Sequence, residues 1–282
     1  MSRSGDASPW PFAPYLNRWQ LVPDGEALHT HSSDLLPVRA GGQPAMLKLP
    51  RGAEERRGGG LMRWWQGDGA ARVLAYDEGT GALLLERLTG PRSLVQMVRE
   101  GQDDEASRIL CGVAARLHVP RARPLPELAP LERWFRSLEA ASRQHGGMFV
   151  EAADTARQLL ETPRDVGVLH GDLHHENVLD GSRLEQGGRG WLAIDPHSLL
   201  GERGFDYANI FCNPDLKTAT QPGRLARQSH VVAQAAGLER SRLLQWVLAY
   251  AGLSAAWWLE DGRHDEAQPV LTVAALAAAE LL

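Results

Sequence analysis

The residues best suited to chemistry in this 282-residue chain lie in one short run, His170-Gly171-Asp172-Leu173-His174-His175-Glu176-Asn177. Six of its eight side chains are ionisable or form hydrogen bonds, and it directly follows the apolar Val166-Gly167-Val168-Leu169. A polar run after an apolar strand sits on a loop at the strand's carboxyl end, where sites form. Eighteen residues beyond Asn177, Trp191-Leu192-Ala193-Ile194-Asp195-Pro196 again ends an apolar run on a carboxylate. Asp172, Asn177 and Asp195 thus form an acid–amide–acid set. Oxygen donors of this kind suit Mg²⁺, which takes one or two carboxylates, several waters and the oxygens of a phosphorylated substrate. An Asp five positions before an Asn, followed by a further Asp, is the arrangement of kinase-like phosphoryl transfer. In that chemistry Asp172 accepts the proton of the acceptor hydroxyl, while Asn177 and Asp195 hold metal. A lysine on an earlier strand grips the α- and β-phosphates, supported by a helix glutamate. Ala45-Met46-Leu47-Lys48-Leu49 supplies the lysine, and Glu54 or Glu55 supplies its partner.

Other readings compete for the same residues. The His/Asp density of the run suggests a zinc or dinuclear hydrolase, but the order of ligands is wrong for one. His197, His230 and His264 stand alone, and Lys48 is left unexplained. A pseudokinase-like binding module would be expected to have lost one of the metal-binding acids, and this chain has them all. Lys48 by itself would read as an edge-strand charge. His174 and His175 read as loop anchors, Asp206 as a helix cap or loop anchor, and Trp257-Trp258 as core in preference to an acceptor platform.

The elements that must position these residues fall into two groups. Residues 1–18 read as a flexible arm. From Trp19 to about 90 the signals are strand-like: Gln20-Leu21-Val22, Leu35 to Arg39, a Gly41-Gly42 turn, Pro44 to Leu49, and a hairpin of Val73–Tyr76 with Leu83–Glu86. A helix is expected over Glu54–Trp65, weakened by Gly58-Gly59-Gly60. Beyond residue 90 the pattern is helical: Asp103–His118 with Asp103 as N-cap, Leu131–Arg143, Ala152–Leu160, Arg224–Ala236, Ser241–Leu259 and Val270–Leu282. The expectation is an α+β chain of two lobes, a small antiparallel sheet with one helix at 19–90 and a larger, mainly helical lobe at 91–282.

Composition narrows the partners. The chain carries 30 Lys+Arg against 35 Asp+Glu, a net charge of -5, and is 43% hydrophobic. Ten basic and ten acidic residues fall within 1–90, so the whole surplus of acid lies in the second lobe. No basic block marks a nucleic-acid binder, and two cysteines cannot build a disulfide framework. The most apolar stretch, Leu243 to Leu259, is short for a membrane span, and no secretory signal is visible. A cytoplasmic protein without nucleic-acid or membrane partners is expected. Only two of the 30 cations are lysine, Lys48 and Lys217, so a lysine kept inside an apolar strand invites a chemical reason.

At Leu169–Leu179, Trp191–Gly201, Gly204–Phe211 and Leu253–Trp257 the chain resembles the aminoglycoside phosphotransferase family, and within it the streptomycin 6-kinase group. Thr30-His31-Ser32-Ser33, Gln102-Asp103-Asp104-Glu105 and Asn213-Pro214-Asp215 are similar too. The resemblance implies a protein-kinase-like fold, ATP as donor, Mg²⁺ as cofactor, and phosphorylation of streptomycin on its 6-hydroxyl by a monomer. It makes Asp172 the catalytic base, Asn177 and Asp195 the metal ligands, and Lys48 the phosphate lysine, with Glu55 taken as its partner. Leu85 to Leu88 become the hinge, offering backbone groups at Glu86 and Leu88 to adenine, and Ser32 and Ser33 lie over the phosphates without any GxGxxG. His170 and Asp206 become internal supports. The Gly58–Gly60 run and the Gly181–Gly190 loop depart from the pattern. Because streptomycin carries guanidinium groups, its site should be acidic, and Glu202, Asp206, Asp215, Glu260 and Asp261 are the carboxylates available beyond Asp195.

Overall fold

A computed structural model describes residues 10–183 and 187–282. Part of the expected arm is built into the first lobe. Phe12 is fully buried, and a helix α1 (Ala13–Arg18) follows it; residues 1–9 lie outside the described chain. The strands β1 (Leu21–Pro23), β2 (Leu28–His29), β3 (Ser33–Ala40) and β4 (Gln43–Pro50) come next. Gly41 and Gly42, at φ +57° and +84°, make the two-residue turn that sets β3 against β4, with Ala40 opposite Gln43. Both turn positions need φ > 0, which glycine supplies without strain. After the helix α2 (Ala53–Trp65), β5 (Val73–Tyr76) and β6 (Leu83–Glu86) complete an antiparallel sheet of order β1-β3-β4-β6-β5, with β2 alongside β3.

The two-residue period of the strands divides this sheet into two faces. Leu36, Val38, Ala45, Leu47 and Leu84 pack with Phe12 and Leu21 behind it. Leu35, Met46 and Lys48 fall on the opposite face. Lys48 lies on β4, paired to β3 at Leu35 and to β6 at Leu83, so it is on an interior strand and not at an edge. The three glycines do not break α2. A Cβ on Gly58 would stand 2.5 Å from the Pro196 carbonyl oxygen, and one on Gly59 2.6 Å from Leu83 Cδ2. Close approach accounts for Gly58 and Gly59 in a helix that would be better formed with alanine, while a Cβ on Gly60 would meet nothing within 4 Å.

The remainder is built on helices: α3 (Leu94–Arg99), α4 (Asp103–Leu117), α5 (Arg136–His145), α6 (Met148–Glu161), the short α7 (Gly204–Ala208) and α8 (Leu216–Ala219), α9 (Arg224–Ala236), α10 (Arg240–Glu260) and α11 (His264–Ala279). Gln102, not Asp103, occupies the N-cap of α4. The Asp103 carboxylate instead forms a buried two-bond pair with Arg224, at 2.8 and 2.9 Å. The apolar stretch around residue 250 is α10, buried on all sides among α5, α6, α7, α9 and α11. A helix apolar all round belongs in the middle of a core. Among the described residues no helix is long and apolar enough to cross a membrane.

Short strands interrupt the helices and carry the polar run. β8 (Val166–Leu169) pairs with β11 (Leu199–Glu202), which also pairs in parallel with β7 (Ala129–Pro130), while β9 (Val178–Asp180) and β10 (Trp191–Ala193) form a hairpin. The 170–177 run is therefore the connection from β8 to β9. Residues 184–186 of the glycine-rich hairpin loop lie outside the described chain.

Candidate active site

The loop from β8 to β9 is held in shape from beneath. His170 is fully buried; its Nε2 donates to the Ile194 carbonyl at 2.9 Å and its Nδ1 accepts the Asp172 N–H at 3.2 Å. That pattern requires a neutral imidazole, and burial lowers the pKa of His170 in spite of nearby carboxylates. Asp206, also buried, accepts the N–H groups of His170 and Gly171 at 2.9 and 2.7 Å and pairs with His118 Nε2 at 2.8 Å. Burial works against its charge, but His118 outweighs this and keeps its pKa below the usual value. The ends of the two strand pairs are stitched together by Ile194 N–H to the Asn177 carbonyl, 2.9 Å, and His197 N–H to the His170 carbonyl, 2.7 Å. Asp172, Asn177 and Asp195 are brought together this way.

Asp172 is gripped by amides. Asn177 Nδ2 donates to its Oδ2 and its backbone oxygen, and Asn209 Nδ2 to its Oδ1, each at 2.9 Å. His174 and His197 present Nε2 to Oδ2 at 3.5 and 3.8 Å. Burial would raise the pKa of Asp172, yet the two imidazoles prevail and hold it well below the usual carboxylate range. An ionised carboxylate at neutral pH can accept a proton. His197 lies between Asp172 and Glu54 of α2, with Nδ1 2.6 Å from Glu54 Oε1. Burial disfavours its charge, but the two carboxylates raise its pKa to about 10.

Glu54 and Glu55 have separated. Glu55 Oε2 is 2.5 Å from Lys48 Nζ and accepts the Ser33 hydroxyl at 3.1 Å, so Glu55 is the partner of Lys48. Lys48 Nζ also reaches Asp195 Oδ1. Burial would lower the pKa of Lys48, but Asp195 and Glu55 keep it raised and the amine charged. Asp195 itself holds φ +60°, a left-handed backbone that costs a non-glycine residue of order 1 kcal/mol or more.

Two cavities open from this cluster. One, of about 330 Å³, has Leu35, Met46, Leu85, Leu88, Leu179 and Ile194 as apolar walls, with Lys48, Glu55 and Asp195 at one end and Glu86 at the edge. Only part of Glu86 is available there: Oε1 accepts the Arg72 N–H at 2.6 Å and pairs with Arg189. Ser33 is buried with its hydroxyl on Glu55, and the Ser32 carbonyl accepts the Arg51 N–H at 2.9 Å. The second cavity, of about 420 Å³, lies at Asp172 and His197, between Glu54 and the aromatic rings of Trp134, Tyr250 and Trp257.

The expected acceptor carboxylates are mostly elsewhere. Glu202 is 3% exposed and accepts from Arg242 at 2.6 and 2.9 Å, Trp246 Nε1 at 2.7 Å and the Arg164 N–H at 2.9 Å, so it is a core ion pair and not an acceptor contact. Asp206 is a loop support only. Asp215 caps α8 through the Thr218 N–H at 2.8 Å and lines a separate groove with Lys217 and Arg99. Glu260 accepts Ser137 Oγ at 3.0 Å on the rim of the second cavity, and Asp261 follows α10 without lining it. Sequence reasoning gave Glu54 only as an alternative partner of Lys48, left His197 as an isolated histidine, and did not single out Asn209, Trp134 or Tyr250. Trp257, read as core, forms part of the cavity wall. The nearest signal was the position of His197, two residues after Asp195.

The Asn177 amide nitrogen is taken up by Asp172, leaving its carbonyl oxygen, with the Asp195 carboxylate, as donors for a hard cation that completes its shell with water and phosphate. Among the described residues no group of three or more His, Cys, Asp or Glu is placed to hold an ion alone, so the zinc-hydrolase reading has no ligand cage.

Comparison with known proteins agrees with this arrangement. The chain is 52% identical to a streptomycin 3''-kinase of Klebsiella pneumoniae, over 95% of this chain and 99% of that one. It is 34% identical to a streptomycin 6-kinase of Streptomyces griseus (92% and 85%) and 36% to a hydroxyurea phosphotransferase of Kitasatospora aureofaciens (89% and 73%). The fold is that of the aminoglycoside phosphotransferase APH(4)-Ia in a ternary complex with AMP-PNP and hygromycin B, at TM-score 0.68 and 15% identity, over 94% of this chain and 96% of that one. Residues 18–262 match the profile of the aminoglycoside/hydroxyurea antibiotic resistance kinases, and the chain belongs to that family.

Proposed function

We propose that the chain transfers the γ-phosphoryl group of ATP to a hydroxyl of streptomycin. The observation that carries this reading is the junction itself: Lys48, Glu55 and Asp195 end an apolar cavity on one side, and Asp172 opens a second cavity on the other. The first cavity suits adenine between aliphatic walls, with the Leu85–Leu88 segment at its edge and Lys48 directed to phosphate. Asp172, ionised and fixed by two amides, would orient the acceptor hydroxyl and take its proton. Asn177 and Asp195 would hold Mg²⁺, which when bound offsets the charge of the triphosphate. Ser33 supports Glu55 rather than phosphate, and the Glu86 side chain is held by Arg189.

The hydroxyl in question is now better taken as 3'' than 6. The relative at 52% identity is a 3''-kinase, and the 6-kinases stand at 34% and 33%. Incubation with ATP, Mg²⁺ and streptomycin, followed by NMR of the product, tests both parts. Phosphorus coupling at the 3'' position is the expected result. Coupling at position 6 would return the original assignment, and preferential phosphorylation of hydroxyurea or choline would sink the reading.

A further inference from the structure

A site for a polycation is expected to be a ring of carboxylates, and the cavity at Asp172 is not one. Glu202, Asp206 and Asp215 are taken up inside the protein. Glu54 and Asp172 both face His197, at 2.6 and 3.8 Å, and Arg133 brings a positive charge to the lining. Of the expected carboxylates only Glu260 lies near, on the rim and bonded to Ser137.

The aromatic wall supplies what the carboxylates do not. Trp134 and Trp257 meet edge to face, their ring centres 5.1 Å apart at 81°, and Trp134 also packs on His197 at 4.9 Å. The wall therefore ends beside the pair that faces the reacting hydroxyl. Elsewhere the protein lays its own arginines over indoles: Arg121 over the buried Trp64, Arg92 over the buried Trp191, and Arg263 over the half-buried Trp258 at 4.1 Å. Among the described residues no arginine stands over Trp134 or Trp257, although both line a cavity and are partly exposed. Trp258 and Trp257 are neighbours on α10, one covered by arginine and the other open to the cavity.

We infer that Trp134 and Trp257 are the acceptor-recognition surface of this enzyme, taking a sugar ring that bears a cationic nitrogen through the faces of their indoles. An indole face attracts both an alkylated ammonium or guanidinium and the C–H face of a pyranose, and the attraction strengthens as water is displaced. Selectivity against neutral alcohols would then come from the π-face rather than from ion pairs. This inference rests on the acceptor assignment proposed above.

The test uses Trp257→Phe, Trp257→Leu and Trp257→Ala in the full chain, with streptomycin KM, ATP KM and kcat measured for each. The expected result is a streptomycin KM raised about tenfold or more in the Ala and Leu variants and within about threefold of wild type in the Phe variant. An ATP KM within about twofold throughout reports an intact fold. Because leucine fills most of the volume without a π-face, a Leu variant as good as wild type overturns the inference, as does an Ala variant with unchanged streptomycin KM. If wild type does not phosphorylate streptomycin at all, it is the proposed function that fails, and the variants are not needed to show it.

Discussion

The two cavities on either side of Asp172 and Asp195 are built on different principles. The first lies between a sheet face and a helix, so its walls are fixed by strand register and by the close approach of α2. Its charged end, Lys48 with Glu55, is buried and specific. The second lies where helices and loops converge, and its walls are the rings of Trp134, Tyr250 and Trp257 beside Glu54, Asp172 and His197. Adjacent residues of one helix serve the two: Glu55 faces the first cavity and Glu54 the second. Steps of 100° along a helix separate neighbours in this way. The first half is walled by aliphatic side chains around a lysine, the second by aromatic rings around a carboxylate.

Variants can break or sharpen this contrast. The largest effect is expected at the boundary. Asp172→Asn should lower kcat by roughly 10²–10⁴, with nucleotide binding, followed by a fluorescent ATP analogue, little changed. A variant within a few-fold of wild type would remove Asp172 from proton transfer. Next comes Glu202→Gln, which belongs to neither cavity. It leaves Arg242 buried without its counter-charge and should cost about 3–5 kcal/mol of stability in urea titrations, with streptomycin KM unmoved in the folded fraction. Burial opposes the charge of Glu202, but Arg242 lowers its pKa below the unfolded value. The stability it contributes is therefore complete above the unfolded pKa of 4.5 and lost as pH falls through the lower folded value. A raised streptomycin KM instead would restore Glu202 to the acceptor site.

Lys48→Met should act on the first cavity alone, lowering kcat/KM for ATP by about 10²-fold, while streptomycin binding measured by calorimetry stays within about threefold. Equal damage to both ligands would mean that the cavities are not separable. The smallest effect is expected for Glu54→Gln, which keeps a hydrogen bond to His197 but drops the charge. A half-exposed pair contributes about 0.2–1 kcal/mol, so kcat should change only a few-fold and the ATP KM not at all. Loss of ATP binding in this variant would show that Glu54 and Glu55 work as one unit.

How much of this could be read from the sequence follows the same division. That Lys48, Asp172, Asn177 and Asp195 would come together was legible because each lies in or beside an apolar run, and strand periodicity fixes where such a residue points. The sheet and the helices α2, α9 and α10 were legible for the same reason. The acceptor side was not. Glu202 and Asp215 were chosen as surplus carboxylates, but a count of charges does not say which are already paired, and Arg242 and Thr218 N–H lie far away or on the wrong kind of atom to be counted. Trp257 and Trp258 are indistinguishable by type; only the packing of α10, and Arg263 over one ring, separates them. Phe12 was hidden in a Pro/Gly-rich segment because one buried ring leaves no periodicity.

Gly58 sets a limit of a different kind. Every single-base change that replaces a glycine codon's residue adds a Cβ, and at this position a Cβ falls 2.5 Å from the Pro196 carbonyl. No small mutational step is therefore open to the gene at codon 58. Under streptomycin selection a library of single substitutions should lose that codon's variants about as completely as those of Asp172. Codon 60, where a Cβ meets nothing within 4 Å, should drift freely one helical turn's fraction away.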